Sequence, residues 1–163
     1  MKTVSKIMKT VVALEKVFLG AALALATVII MISVIGRRLG SAPQWSEEGV
    51  RYLMIWITFI GSGLCFRRGN HYGIDVIRRV PGVTFQKFVS LFIILVNGVF
   101  GFCLLYYGYR FTAFTMMSNQ MTAALRWPIW IVYISVPIGG ALVILHLIEV
   151  LMSEVLKIYT IEE

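Results

Sequence analysis

Four apolar stretches, at 17–35, 52–66, 88–109 and 129–148, hold almost no charge and fill most of the 163 residues. A bilayer's hydrocarbon core takes ~20 helical residues at 1.5 Å rise each, and these stretches approach that length. In lipid every backbone N–H and C=O must be bonded internally, so an unbroken apolar run of this kind is read as a transmembrane α-helix. The second stretch is the shortest and spans only if Val50 and the stem of Arg51 count toward it. With their polar ends included, the helices are expected over about 12–36, 47–67, 86–112 and 128–152. Short tails and three connections of about 14–21 residues remain, and none can bury a core of its own. The sequence predicts one all-α membrane domain over 1–163: four transmembrane helices with short interfacial helical segments.

Composition agrees, since 59% of the residues are hydrophobic against the ~45–50% apolar share of soluble domains. The net charge of +7 does not indicate nucleic acid, because the basic residues sit at membrane edges and no nucleic-acid motif accompanies them. Topology control and anionic headgroups explain that charge better. Cys65 and Cys103 fall inside apolar runs and form no CxxC, so they read as small buried thiols, not as a disulfide or zinc framework. Lys2, Lys6 and Lys9 before an apolar run resemble a signal peptide, but a signal h-region is only ~7–15 residues long. This run continues unbroken to Ile35, so it reads as the first span, behind a basic stretch lying on the membrane surface.

Lys and Arg outside the spans orient the bundle. Ten lie on the side of the termini and the second connection, namely Lys2, Lys6, Lys9, Lys16, Arg67, Arg68, Arg78, Arg79, Lys87 and Lys157. Five lie opposite, namely Arg37, Arg38, Arg51, Arg110 and Arg126. Both termini are therefore expected in the cytoplasm. In the second connection Arg67, Arg68, Arg78 and Arg79 surround Ile74, Val76, Ile77 and Val80. That mixture suits a lipid headgroup surface, and His71 and Asp75 have i,i+4 spacing for a pair if the helix runs past Phe66. An ordinary positive-inside loop is the competing reading.

Helix-end signals are legible. Gly36 and Gly40 bracket the end of the first span, with Pro43 beyond. Ser46 suits the N-cap of the second helix, with Glu47 and Glu48 in its first turn and a Trp45–Val50 staple. Arg51 lies i+4 from Glu47 and i+3 from Glu48, so it is expected to be neutralised by them. A helix-start device and a partner-docking patch both fit that arrangement. Pro81-Gly82 marks a turn. Gly98, Gly101 and Gly108 lie near one face of the third helix and allow a close helix approach. Asn97, near the middle of that helix, is expected to bond a neighbouring helix. Pro128 suits N1 of the fourth helix, Trp127, Trp130 and Tyr133 form an interfacial cluster, and Pro137 inside the helix should kink or loosen it.

The spans also lack something. Carriers coupled to ions usually use intramembrane acids or broken helices meeting at the midplane. No Asp, Glu, Lys or Arg lies near the centre of any span. Glu15 marks the interface, while His146 and Glu149 fall in the last third of the fourth helix. The chain is therefore not expected to carry coupled transport chemistry itself. No Walker motif, HExxH or nucleophile elbow occurs, so no enzyme is indicated.

Trp45-Ser46-Glu47-Glu48-Gly49-Val50-Arg51-Tyr52 resembles the W-x-E-E-x-x-R pattern of the small membrane (Q) subunits of tripartite ATP-independent periplasmic (TRAP) transporters. Arg67-Arg68-Gly69-Asn70-His71-Tyr72-Gly73-Ile74-Asp75 is similar to that family's R-x-G-x-H-x-x-x-D stretch. Arg126-Trp127-Pro128-Ile129-Trp130, then Tyr133, Pro137 and Gly139, resembles its fourth helix. The three motifs, in order, extend the resemblance over the whole chain.

The resemblance implies a bacterial inner-membrane subunit packed beside a large permease (M) subunit that binds solute and sodium ions. It also implies a periplasmic solute-binding protein delivering a C4-dicarboxylate, a sialic acid or another organic acid. The small subunit would enlarge the stationary scaffold, hold no cofactor, and leave sodium to the large subunit, a separate polypeptide. Candidate contacts with those partners are Trp45, Glu47, Glu48, Arg51, Trp56, Asn97, Trp127 and Pro137. The alternative is a membrane-anchor subunit of a respiratory complex, which would show haem-ligand histidines or quinone-site residues within the spans. A self-sufficient exporter would need a membrane-embedded acid, and Glu15 reads as too close to the interface.

Overall fold

A computed structural model describes the backbone of residues 2–41, 43–77 and 83–161, with side chains for 8–41, 43–66, 89 and 91–152. The chain runs α1 (Lys2–Arg38), α2 (Gln44–Ile77), α3 (Val83–Met117), α4 (Trp130–Tyr133) and α5 (Ser135–Ile161). Among the described residues four segments are long and apolar enough to cross a membrane: Met8–Arg38, Gln44–Phe66, Leu91–Met117 and Trp130–Met152, the last combining α4 with the start of α5. The helices outrun the apolar stretches at several ends, so the α1–α2 and α3–α4 connections shorten to 39–43 and 118–129. Nothing breaks the helix after Phe66, and α2 continues to Ile77. His71 and Asp75 thus have the i,i+4 register on its backbone. The side chains of Arg67, Arg68, His71 and Asp75 lie outside the described residues, as do Arg78, Arg79 and the Pro81-Gly82 turn entirely.

Packing order is not chain order. α1 lies on α2, α2 on α5 and α5 on α3, which makes an open row with α1 and α3 at its edges. The buried face of α1 is Met8, Val12, Glu15, Ala22, Ala26 and Ser33, with Leu19 and Ile29 half-buried between them. That alternation of four and three residues is the register of left-handed helix packing. Gly40 closes α1 with φ +72°: its N–H donates to Arg37 O (3.3 Å), and the Ser41 N–H to Gly36 O (2.8 Å). This is the Schellman arrangement.

Glycine sets the spacing on both sides of α5. A Cβ at Gly139 would stand 2.5 Å from Phe59 O on α2, and one at Gly140 would stand 2.7 Å from Leu105 N on α3. From α3, Gly98 abuts Leu147, Gly101 abuts Val143 and Ile144, and Gly108 abuts Val136 and Pro137. The three small positions on one face of α3 therefore receive α5, as their spacing predicts. Pro137 has no N–H to return to Tyr133, and the fourth span is divided at Ile134, between α4 and α5. Ser135 there is fully buried and donates to Val132 O (2.7 Å).

Candidate functional site at the α1–α2 end of the bundle

The first turn of α2 ties this end of the bundle together. Ser46 is not the N-cap: the helix starts two residues earlier, and the buried Ser46 hydroxyl donates back to Pro43 O (2.6 Å). Pro43 fixes the chain just before the helix, so the first turn forms at Gln44 and Ser46 lies inside it. Glu47 pairs with Arg37 at the end of α1. Glu48 reaches the α3–α4 loop, where the N–H groups of Ala123 (3.1 Å), Ala124 (2.7 Å) and Leu125 (2.8 Å) donate to its carboxylate. The Tyr52 hydroxyl donates to the same carboxylate at 2.5 Å.

Loop folding produces that row of donors. Met121 and Pro128 form an antiparallel bridge, and the Thr122 N–H donates to Trp127 O (2.8 Å). The Trp127 N–H returns to the Thr122 hydroxyl (3.0 Å). Asn119 (φ +46°) and Arg126 (φ +52°) take left-handed conformations at the two bends. Consecutive amides turned to one side make an anion-binding concavity, and here Glu48 fills it.

Arg51 differs from its sequence expectation. Glu47 and Glu48 are engaged elsewhere, and Arg51 is exposed with no ion pair or hydrogen bond among the described residues. The three-dimensional donors are better than the helical neighbour, because they align several dipoles on one carboxylate. Trp45, Trp56 and Trp127 come together. With Tyr52, Leu25 and Val132 they line an apolar cavity of about 250 Å³ between α1, α2 and the loop. Trp56 also meets Phe18 of α1, ring centroids 5.9 Å apart. Asn97 and Pro137 lie elsewhere: Pro137 sits in the α3–α5 seam. Asn97 is half-buried on α3 and makes no hydrogen bond among the described residues, contrary to the expected helix-to-helix bond. Its helix partner α5 presents Leu147 at that level, which offers no acceptor.

A second polar contact lies toward the other end. Glu15 of α1 is 5% exposed and His146 of α5 is 0% exposed, and His146 Nε2 shares its bond between both Glu15 oxygens (3.0 and 3.1 Å). His146 Nδ1 lies 3.7 Å from Glu149 Oε2 and has no hydrogen-bond partner among the described residues. Glu15, expected only to mark the interface, thus also joins α1 to α5. Gly63 of α2 packs on α5 beside this pair, where a Cβ would stand 3.1 Å from Leu142 Cβ and 3.4 Å from the His146 ring. The missed signal was register, because Glu15 falls on the same four-three stripe as Ala22 and Ala26.

Four spans and a polar end that joins three helices define a small polytopic membrane protein. The chain belongs to the DctQ component family of tripartite ATP-independent periplasmic transporters, whose family profile matches residues 26–157. It is 31% identical over 127 residues to the ectoine TRAP transporter small permease protein TeaB of Halomonas elongata, covering 77% of this chain and 66% of that one. It is 24% identical over 106 residues to the C4-dicarboxylate TRAP transporter small permease protein DctQ of Rhodobacter capsulatus, covering 65% of this chain and 47% of that one. A further relative is the isethionate TRAP transporter permease protein DctMQ of Oleidesulfovibrio alaskensis, 24% identical over 149 residues, 86% of this chain but 23% of the relative. The chain thus spans less than two thirds of the first two relatives. These relatives are transporter permease proteins, not enzymes, and the chain is a multi-pass protein of the bacterial inner membrane.

Proposed function

We propose that this chain is the small permease subunit of a sodium-driven TRAP transporter, a fixed scaffold beside a large permease subunit. A periplasmic binding protein delivers the solute, a small organic acid such as a C4-dicarboxylate or a sialic acid. The names of the relatives extend the range to ectoine and isethionate. The observation that carries the scaffold reading is where the polar groups of the spans point. Thr112 donates to a carbonyl of its own helix and Ser135 donates across the α4–α5 break to Val132 O, and Glu15 and His146 bond each other, so these groups are engaged within the bundle instead of lining a solute path. The fusion of a large and a small component in a single permease protein, as the DctMQ name indicates, supports the partnership. Sodium is assigned to the large subunit, and this chain needs no cofactor.

The test is reconstitution of this chain, the large subunit, or both in liposomes, with solute-loaded binding protein and an inward sodium gradient. Uptake is expected only with both. Uptake by this chain alone, or undiminished uptake without it, overturns the scaffold role.

A further inference from the structure

The apolar cavity at the clasped end of the bundle is a slot. Its lining on α2 runs from Trp45 through Gly49 and Leu53 to Trp56, a length of ~16 Å at 1.5 Å per residue. A volume of about 250 Å³ spread over that length is narrow. It has the shape of one extended alkyl chain and is longer than any side chain. Glycine makes the room, because Gly49 lines the slot and a Cβ there would find nothing within 4 Å. The walls are carbon: Tyr52, whose phenol lines the slot, commits its hydroxyl to Glu48 (2.5 Å). Water gains little in such a space, since it needs several polar partners. An empty slot forfeits dispersion contacts along its whole lining.

The rim of the slot is polar and cationic. At this end α1 stops and α2 starts, and the charges of Arg37, Glu47, Glu48 and the α3–α4 loop gather, as befits the level of lipid headgroups. From that level the slot descends along α2 toward Trp56. Trp45 and Trp127 are 42% and 57% exposed at the rim, and among the described residues their indole N–H groups make no hydrogen bond. Arg126 stands between two lining residues, Leu125 and Trp127. It is exposed and makes no ion pair or hydrogen bond among the described residues. The nearby carboxylates are engaged, Glu47 by Arg37 and Glu48 by the loop amides, so the Arg126 charge is left to an external anion. A guanidinium pairs a phosphate through two parallel hydrogen bonds. We propose that the slot binds one phospholipid, with an acyl chain lying between Trp45 and Trp56 and the phosphate at Arg126. A protein partner offers the matching anion but no alkyl chain of that length.

For the test, the full chain is purified in mild detergent, saturated with dioleoylphosphatidylglycerol, and followed by native mass spectrometry as the detergent is stripped. One lipid per chain is expected to remain. Gly49→Leu, which fills the slot, should lower that retention at least about tenfold, while Gly49→Ala, which leaves most of the slot open, should keep it. Arg126→Gln should lower it several-fold. Arg38→Gln, which removes an exposed cation outside the lining, should not. In native membranes, p-benzoylphenylalanine in place of Leu25, a lining residue 52% exposed, should crosslink to phospholipid. Unchanged retention in Gly49→Leu overturns the proposal. A crosslink from position 25 to protein alone overturns it too, because the slot would then seat a partner's side chains. Equal losses in Arg38→Gln and Arg126→Gln would show that any cation at this end draws the headgroup, and the phosphate site at Arg126 fails. Should Gly49→Leu not fold, the crosslink decides by itself.

Discussion

The Glu48 carboxylate holds three consecutive loop amides and a phenol, while Glu47 beside it holds a single guanidinium. Hydrogen bonds to charged groups are the stronger class, and an amide in that place would turn its own donor toward donors. Glu48→Gln should therefore free the loop at 123–125. Hydrogen exchange of those three amides should speed up at least about tenfold, since their local opening is what the carboxylate suppresses. Glu47→Gln should leave those amides unchanged, and Arg51→Ala, which removes no ion pair among the described residues, should leave both exchange and thermal stability as they were. Unchanged exchange in Glu48→Gln would show that the loop holds its shape unaided.

At the scale of elements, the seams on α5 are backbone against backbone. A Cβ at Gly139 or Gly140 meets Phe59 O or Leu105 N, and main chain cannot rotate away as a side chain can. Overpacking of this kind costs ~1–3 kcal/mol, so Gly139→Ala should lose about that much stability in detergent unfolding. Gly20→Ala, with nothing within 4 Å of the new carbon, should be neutral or gain up to ~1 kcal/mol from helix propensity. Equal stability of the two variants would refute close packing at Gly139. These seams were partly legible in advance, because Gly98, Gly101 and Gly108 share a face and Pro137 interrupts a helix wherever it occurs. The partners of Glu48 were not legible, since they lie 75 to 77 residues away and local spacing ranks only i+3 and i+4 pairs. Glu15 and His146, 131 residues apart, escaped for the same reason.

At the scale of the whole molecule, the even number of spans places both ends of the row's chain on one side, and the side remains to be fixed by charge. Ten Lys and Arg on the side of the termini against five opposite favour the cytoplasm for the termini. The Glu48 clasp, Arg51 and the Trp45–Trp127 surface then face the periplasm, the side from which the proposed binding protein would approach. One position toward each end of the row gives that orientation a direct test. Ser41 is exposed in the α1–α2 connection, and Gly73 lies on α2 beyond Phe66. Single cysteines in place of Ser41 or Gly73, with Cys65→Ser and Cys103→Ser, can be probed by a membrane-impermeant thiol reagent. Position 41 is expected to label from the periplasmic side of spheroplasts, and position 73 only in inverted vesicles. The opposite pattern would put the clasp in the cytoplasm, out of reach of any periplasmic protein. The clasped end would then serve contacts within the membrane complex alone.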